Sequence, residues 1–504
     1  MTVQTIRDIV KYGSETYGQQ PAYRYKVGKE VEDKTYAQVN ADAMAVSRMI
    51  EAMGLKGKHI AILGITTYQW IVSYYGITGS ASVAVPIDVQ LPAEAICELL
   101  VRADVEMLIY DEIRKDVIEA VKSNCPNIRF IMSMQAEAKE GDILSWNEEV
   151  KNNQGEYETE IDPDGLCTIL FTSGTTGKSK GVMLSNRNLT DNATCLDMRL
   201  PVGIVSMTLL PINHVYCLTM DILKGFYVGS TVCINDSIMR VQKNMKLFQP
   251  EIILMVPLVI ESIYNKLEAA GNLLPKKLIA KQAFGGKLKT ICSGGAYLDP
   301  KYVEKFAEYG ITILQGYGMT ECSPVICNNL EWDNRVGSVG KLLPNCQAKI
   351  VDDEIWVKGS SVMMGYYNMP EETSQTLEDG WLKTGDLGYV DEDNYVYITG
   401  RKKNLIILAN GENVSPEEIE NQLVRERLVK EVIVSEKGTV IQAEIFPDYE
   451  YAQKKRIKDI PVALQEIIDK YNSEAPVYKR VLALVVRETE FEKNTSKKIK
   501  RQYN

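Results

Sequence analysis

Leu170-Phe-Thr-Ser-Gly-Thr-Thr-Gly-Lys-Ser-Lys-Gly181 marks an abrupt change in the chain: the apolar run 166–171 stops, and glycines, hydroxyl side chains and two lysines take over. A buried strand ending in a loop of free backbone N–H groups and cations can hold a polyphosphate. Glycine lets the backbone approach the anion. Thr172, Ser173, Thr175 and Thr176 can donate to its oxygens around Gly174 and Gly177, and Lys178 and Lys180 supply charge. The P-loop of NTPases needs four residues between its first glycine and a Gly-Lys pair, then Ser or Thr on a helix. Here two residues separate Gly174 from Gly177, and Lys180-Gly-Val-Met-Leu184 has the pattern of a second strand. The reading is a mobile hairpin over phosphates; the plainer alternative is a flexible surface turn.

Around this stretch lies an ordinary globular composition. The 504 residues allow two or three domains, with 45% hydrophobic and 25% charged residues. A net charge of −10 gives no nucleic-acid footprint. The first ten residues have no apolar signal core, and the most apolar long stretch, 70–86, is too short and mixed to span a bilayer. The ten cysteines form no CxxC pair and there are only two histidines, His59 and His214. That argues against zinc and against a disulfide framework, and for reduced thiols in the cytoplasm.

Residues 1–160 alternate helical and strand patterns, with strands at 59–64, 82–86 and 106–110 and helices at 68–78 and 93–103. The theme repeats over 165–340, with strands at 206–211, 230–234, 252–257, 289–292 and 311–315. This is α/β architecture with mostly parallel sheets flanked by helices. After Gly340 the pattern turns antiparallel, a small β-barrel-like subdomain with strands at 348–351, 354–358 and 395–399. A small α+β unit follows, with helices at 416–426 and 462–471 and a hairpin across 436–438. The expected boundary is the charged Gly400-Arg-Lys-Lys403, giving domains 1–400 and 401–504.

Three more clusters carry chemistry. Gln315-Gly-Tyr-Gly-Met-Thr-Glu-Cys-Ser-Pro324 follows a strand and so sits where open α/β sheets place ligands. Tyr317 offers a flat face for a base, and Glu321 a carboxylate suited to Mg²⁺ beside phosphates. Ser293-Gly-Gly-Ala-Tyr297 also follows a strand end. Thr384-Gly-Asp386, read as a loop, presents an aspartate able to chelate vicinal hydroxyls, or else forms a simple Asx turn.

In this order and spacing the motifs resemble the adenylate-forming superfamily of acyl- and aryl-CoA synthetases, nonribosomal adenylation domains and beetle luciferases. The resemblance covers nearly the whole chain. It is closest to bacterial fatty-acyl-CoA synthetases through Cys292-Ser-Gly-Gly-Ala-Tyr-Leu-Asp-Pro300, Ile398-Thr-Gly-Arg-Lys-Lys-Asn-Leu-Ile406 and Asn410-Gly-Glu-Asn-Val-Ser-Pro-Glu-Glu-Ile-Glu420. It implies that the 172–180 loop grips the ATP β- and γ-phosphates. Gly294, Gly295 and Ala296 would lie along adenine and the acyl carboxylate. Gly316, Tyr317 and Gly318 would hold the nucleoside, Tyr317 by stacking. Thr320 would touch the α-phosphate, Glu321 would bind Mg²⁺, and Asp386 and Arg401 would take the ribose hydroxyls. His214, Val215, Gly295 and Met319 would line the acyl pocket, with His214 as lining rather than base. Lys403 would be the hinge of a mobile C-terminal domain, and Gly411, Glu412 and Asn413 would face CoA. Glu492-Lys-Asn-Thr-Ser-Lys-Lys-Ile-Lys-Arg501 matches the terminal lysine motif and places the catalytic lysine at Lys498. Lys497 stands where the family has glycine.

The implied reaction has two steps. A carboxylate attacks the ATP α-phosphate and expels pyrophosphate; the small domain then swings about Lys403 and a thiol, that of CoA, attacks the acyl-AMP. A carrier-protein phosphopantetheine is the alternative acceptor, and a non-catalytic member binding nucleotide or acyl ligand is a third reading. The pocket is expected from 214–229, 256–264, 294–298 and 316–325. It is read as apolar, with no buried acid or cation, which favours a fatty or aryl acid over an amino acid.

Overall fold

The computed structural model describes residues 2–172, 179–269, 274–408, 412–438, 440–493, 499 and 501. The chain divides into two compact units. One comprises Met1–Ala348 with Val357–Leu382, the other Lys349–Trp356 with Lys383–Asn504. The charged Gly400–Lys403 stretch therefore falls inside the second unit.

The first unit is built on two large sheets. In the eight-stranded sheet the order runs Gly365–Tyr366, Lys180–Ser185, Leu166–Thr172, Val83–Ile87, His59–Leu63, Val105–Tyr110, Phe130–Ser133, Ile143–Ser145. From Leu166–Thr172 onward its neighbours are parallel. Val83–Ile87 is buried along its whole length, as a strand covered on both faces must be. Helix Tyr68–Gly79 starts where the Thr67 hydroxyl accepts from the Trp70 N–H. The second sheet has nine strands, with a parallel core of Thr312–Gly318, Thr290–Ser293, Ile252–Met255, Val205–Met207 and Thr231–Cys233. Met207, Ile253, Ile291 and Ile313 point to one face, into a core with Phe284 and Phe306.

Most predicted elements are present with shifted ends. The expected strand at 206–211 stops at Met207. The strand expected to end near Gln315 instead runs on to Gly318, pairing antiparallel with Val325–Asn328. Glycine makes that continuation possible: a Cβ on Gly318 would lie 2.0 Å from the Pro324 carbonyl oxygen. Thr384–Asp386 is not a loop but lies within strand Trp381–Val390, with Gly385 at φ 69°.

In the second unit, Val429–Lys437, Val440–Pro447 and Val481–Val486 form a three-stranded sheet. Helices Pro416–Leu423 and Ile460–Glu474 contribute Ile419, Leu423, Leu464 and Ile468 to the same apolar core as Val434 and Ala443. No helix among the described residues is long and apolar enough to cross a membrane. All ten cysteines are free thiols.

Candidate active site

Strands Leu166–Thr172 and Lys180–Ser185 pair antiparallel, with Thr172 opposite Lys180. The glycine- and hydroxyl-rich stretch is thus the connection of a hairpin, and a second strand rather than a helix follows it, as its spacing predicted. Ser173, Gly174, Thr175, Thr176, Gly177 and Lys178 lie outside the described residues. Arg102, at the end of helix Ala93–Arg102, anchors the return of this connection by donating to the Ser179 carbonyl at 2.7 Å.

The hairpin lies beside the proposed metal carboxylate. Strand Gly365–Tyr366 pairs with Lys180–Ser185, setting Tyr366 opposite Val182. The Tyr366 hydroxyl donates to Glu321 Oε1 at 2.9 Å, and Lys180 Nζ sits 4.6 Å from the centre of the Tyr366 ring. Burial, with the Glu321 charge beside it, pushes the Tyr366 phenol well above its ordinary range. It therefore stays protonated and keeps donating. One tyrosine, absent from every motif, links Lys180 to Glu321. Thr320 and Glu321 lie in the 3₁₀ turn Thr320–Cys322. That turn is held by Asn192, whose Nδ2 donates to the carbonyls of Val325 (2.8 Å) and Cys322 (3.3 Å) and whose Oδ1 accepts from the Val325 N–H. The Glu321 carbonyl also accepts from the Met363 N–H at 2.9 Å.

Gly294–Ala296 and Gly316–Thr320 are adjacent because their strands are parallel neighbours with Ser293 opposite Gln315. Gly294 is buried, while Gly295 and Ala296 are exposed. A Cβ on Gly294 would approach the Tyr216 ring to 3.2 Å, and the Tyr216 hydroxyl lies 3.4 Å from the Cys292 carbonyl. Tyr317, Gly318 and Met319 are half-buried, and the Met319 N–H donates to the Pro324 carbonyl. His214 is exposed and its Nδ1 accepts from the Tyr216 N–H at 3.4 Å, whereas Val215 is buried.

The expectation that residues 214–229 carry no buried acid or cation is wrong. Asp221 is 3% exposed and Lys224 is 3% exposed. Both follow Tyr216 in a run of apolar neighbours that hid them. Lys224 Nζ donates to the carbonyls of Leu196 (2.6 Å) and Ala193 (3.1 Å), while Asp221 Oδ2 has no hydrogen-bond partner.

The remaining predicted residues belong to the second unit. Asp386 and Arg401 are register partners on paired strands and form an ion pair, Nε to Oδ1, at 2.7 Å. Asp386 is buried and Arg401 exposed, so the guanidinium fixes the carboxylate from the solvent side. Lys403 lies in the short 3₁₀ turn Lys402–Asn404; desolvation and the charges of Arg401 and Arg501 lower its pKa. Glu412 and Asn413 are exposed at the edge of a two-stranded ribbon. Gly411, Lys497 and Lys498 lie outside the described residues, whereas Lys493, Ile499 and Arg501 are described. Lys493 and Ile499 pair as an antiparallel bridge. Arg501 bonds Glu420, lies 3.6 Å from Glu417, and donates to the Val434 carbonyl. The chain around the predicted catalytic lysine is therefore anchored on both sides, which a solvated basic tail would not be.

Glu321 suits Mg²⁺: one carboxylate, oriented by a neutral hydroxyl, is the typical protein share of a magnesium site completed by phosphate oxygens and water.

The glycine-rich hairpin and the oriented Glu321 carboxylate fit an ATP-using, adenylate-forming ligase. Residues 11–367 match the family of AMP-binding enzymes, and residues 403–503 match the AMP-binding enzyme C-terminal domain. The chain belongs to the AMP-binding enzyme family. It is 27% identical over 459 residues to a long-chain-fatty-acid–CoA ligase of Mycobacterium bovis, covering 80% of this chain and 75% of that one. It is 26% identical over 565 residues to a chloroplastic long-chain-fatty-acid–[acyl-carrier-protein] ligase of Arabidopsis thaliana, covering 90% and 77%. Its fold matches the O-succinylbenzoate coenzyme A synthetase of Bacillus subtilis solved with ATP and a magnesium ion. The TM-score is 0.77 at 24% identity over 98% of both chains.

Proposed function

We propose that this chain activates a carboxylic acid with ATP, forming an acyl-AMP and pyrophosphate, and passes the acyl group to the thiol of CoA. The observation that carries this reading is the Lys180–Tyr366–Glu321 arrangement, together with the Gly294–Ala296 and Gly316–Thr320 segments that follow the neighbouring strand positions Ser293 and Gln315. A free carboxylate is a poor acyl donor because its charge repels nucleophiles and oxide is a bad leaving group. Joining it to AMP supplies a good leaving group. The protein contributes position and charge rather than covalent chemistry. The 172–180 hairpin takes the departing phosphates, Thr320 the α-phosphate, and Tyr317 the adenine. Asp386, held by Arg401, takes the ribose. Glu321 would hold Mg²⁺, which when bound neutralises phosphate charge. Lys498 bridges the attacking carboxylate and the α-phosphate. For the second step the small domain that follows Lys403 turns about that residue, withdraws Lys498 and presents the Gly411–Asn413 segment to CoA.

A fatty acid is the first substrate class to test, supported by the names of the relatives. The Arabidopsis relative supports a second reading of the acceptor, a carrier-protein phosphopantetheine. Ten free thiols fit a reducing, cytoplasmic setting. The decisive experiment is carboxylate-dependent ATP–pyrophosphate exchange with wild-type and Lys498→Ala protein, followed by thioester formation from supplied acyl-AMP with CoA or carrier protein. Wild type should exchange. Lys498→Ala should lose exchange yet still form thioester. Undiminished exchange in the variant would move the catalytic role to another lysine, and no exchange by wild type with any acid would overturn the reading.

A further inference from the structure

The segment after His214 folds as a π-helix, Cys217–Leu223. Such helices are rare and concentrate at functional sites. It begins next to Tyr216, whose ring covers Gly294. On the sheet face opposite the Ile253–Ile291 core, Cys292 meets this helix. The Tyr216 hydroxyl lies at the Cys292 carbonyl, and the Cys292 thiol feels both Asp221 and Lys224. Asp221 is buried with the Cys217 thiol, four residues earlier, against its carboxyl. Its Oδ2 has no partner, and the Thr219 hydroxyl in the same π-helix has none either. The nearby ammonium does not help, because Lys224 is spent on two backbone carbonyls.

A buried carboxyl oxygen left unpaired is costly, and the cost vanishes when a ligand supplies the missing partner. An all-hydrocarbon acyl chain lying here would make the cost permanent. We propose that the acid activated by this chain carries an oxygen function (hydroxyl, carbonyl or ether) away from its carboxylate, and that Asp221 is the specificity-determining residue that hydrogen-bonds it. This rests on the reading above that the segment after His214 lines the acyl pocket. Burial pushes the Asp221 carboxyl well up, which favours its protonated, hydrogen-bond-donating form. A donor at this depth selects an acceptor, not an ammonium group.

The test is ATP–pyrophosphate exchange by the full-length protein with matched acids. Short, medium and long straight-chain acids are each set against their terminal-hydroxy and terminal-amino counterparts, and benzoate against hydroxybenzoate. Wild type should favour the hydroxy member of at least one set by about tenfold or more in kcat/KM, because a site built to bond a substrate oxygen rejects the analogue lacking it. Asp221→Leu should erase or reverse that preference while raising activity on the plain acid relative to its partner. A loss of equal size on both members would mark Asp221 as merely structural and overturn the inference. So would a wild-type preference for the plain or amino acid in every set, a comparison that stands even if the variant does not fold. No exchange with any acid would instead overturn the ligase reading itself, and this inference with it.

Discussion

The Tyr366 hydroxyl fixes the Glu321 carboxylate through a single hydrogen bond. Tyr366 is 45 positions away and reaches Glu321 because Gly365–Tyr366 adds to the edge of the hairpin at strand Lys180–Ser185. Strand pairing at that separation leaves no periodic trace in one sequence. Tyr366→Phe keeps the ring under Lys180 and removes only the hydroxyl. The carboxylate then has one fewer fixed partner, and pyrophosphate exchange should fall about tenfold, the scale of one hydrogen bond to a charged group. Its magnesium dependence should shift to higher concentration. Glu321→Gln removes the charge itself and should cost far more. A Tyr366→Phe profile superimposable on wild type across a magnesium titration would show that the hydroxyl does not position Glu321. Asp221 illustrates the opposite failure. Read linearly, residues 214–229 are a mostly apolar pocket wall; only the packing shows that the acid and the lysine within it are buried too.

At the scale of elements, the strands were legible wherever an apolar run filled a buried central strand, as at His59–Leu63 and Ile252–Met255. Their ends were not, because glycines such as Gly316 and Gly318 carry the chain past the point where hydrophobicity stops. The π-helix was invisible for a related reason, since its wider turn is set by packing and not by a residue pattern. That element makes a thermodynamic prediction. Burial lowers the Lys224 ammonium from 10.5 to about 8, against the nearby Cys195, Asp197 and Cys292. Between about pH 8 and pH 10.5 the unfolded chain therefore holds a proton that the folded chain has released, so stability gains from Lys224 as pH rises through this window. The full difference is of order 3 kcal/mol at about 1.4 kcal/mol per pH unit. Lys224→Met loses this gain. Its free energy of unfolding in urea, subtracted from that of wild type at each pH, should leave a difference that grows in favour of wild type from about pH 8 upward. The carbonyls of Ala193 and Leu196 left unpaired in the variant add an offset that does not depend on pH. A flat difference would show that Lys224 keeps its ordinary pKa.

For the molecule as a whole, the order of the motifs made the architecture readable, while the compact units are set by contacts that leave no mark in the sequence. The compact second unit takes in Lys349–Trp356 and everything from Lys383, so Glu354 can bond both Lys402 and the Gly385 N–H. A segment that leaves one unit, contributes a strand and returns has no composition shift to betray it. The proposed pivot at Lys403 sits in a 3₁₀ turn beside these contacts, with Asn404 bonded to Glu417 and Glu417 near Arg501. Turning a domain requires φ and ψ at the pivot to change, and proline removes the φ freedom and restrains the residue before it. Lys403→Pro should therefore freeze one arrangement rather than damage either chemical step. If the frozen arrangement is the one that presents Lys498, carboxylate-dependent pyrophosphate exchange should stay within about threefold of wild type. Thioester formation from supplied acyl-AMP should then fall by about a hundredfold or more. The two half-reactions measured on one preparation separate the possibilities. A split in either direction supports a pivot at this turn. Equal loss of both steps, with unfolding temperature unchanged, would mean that Lys403 acts in a step common to both and that the two reactions do not depend on rotation there.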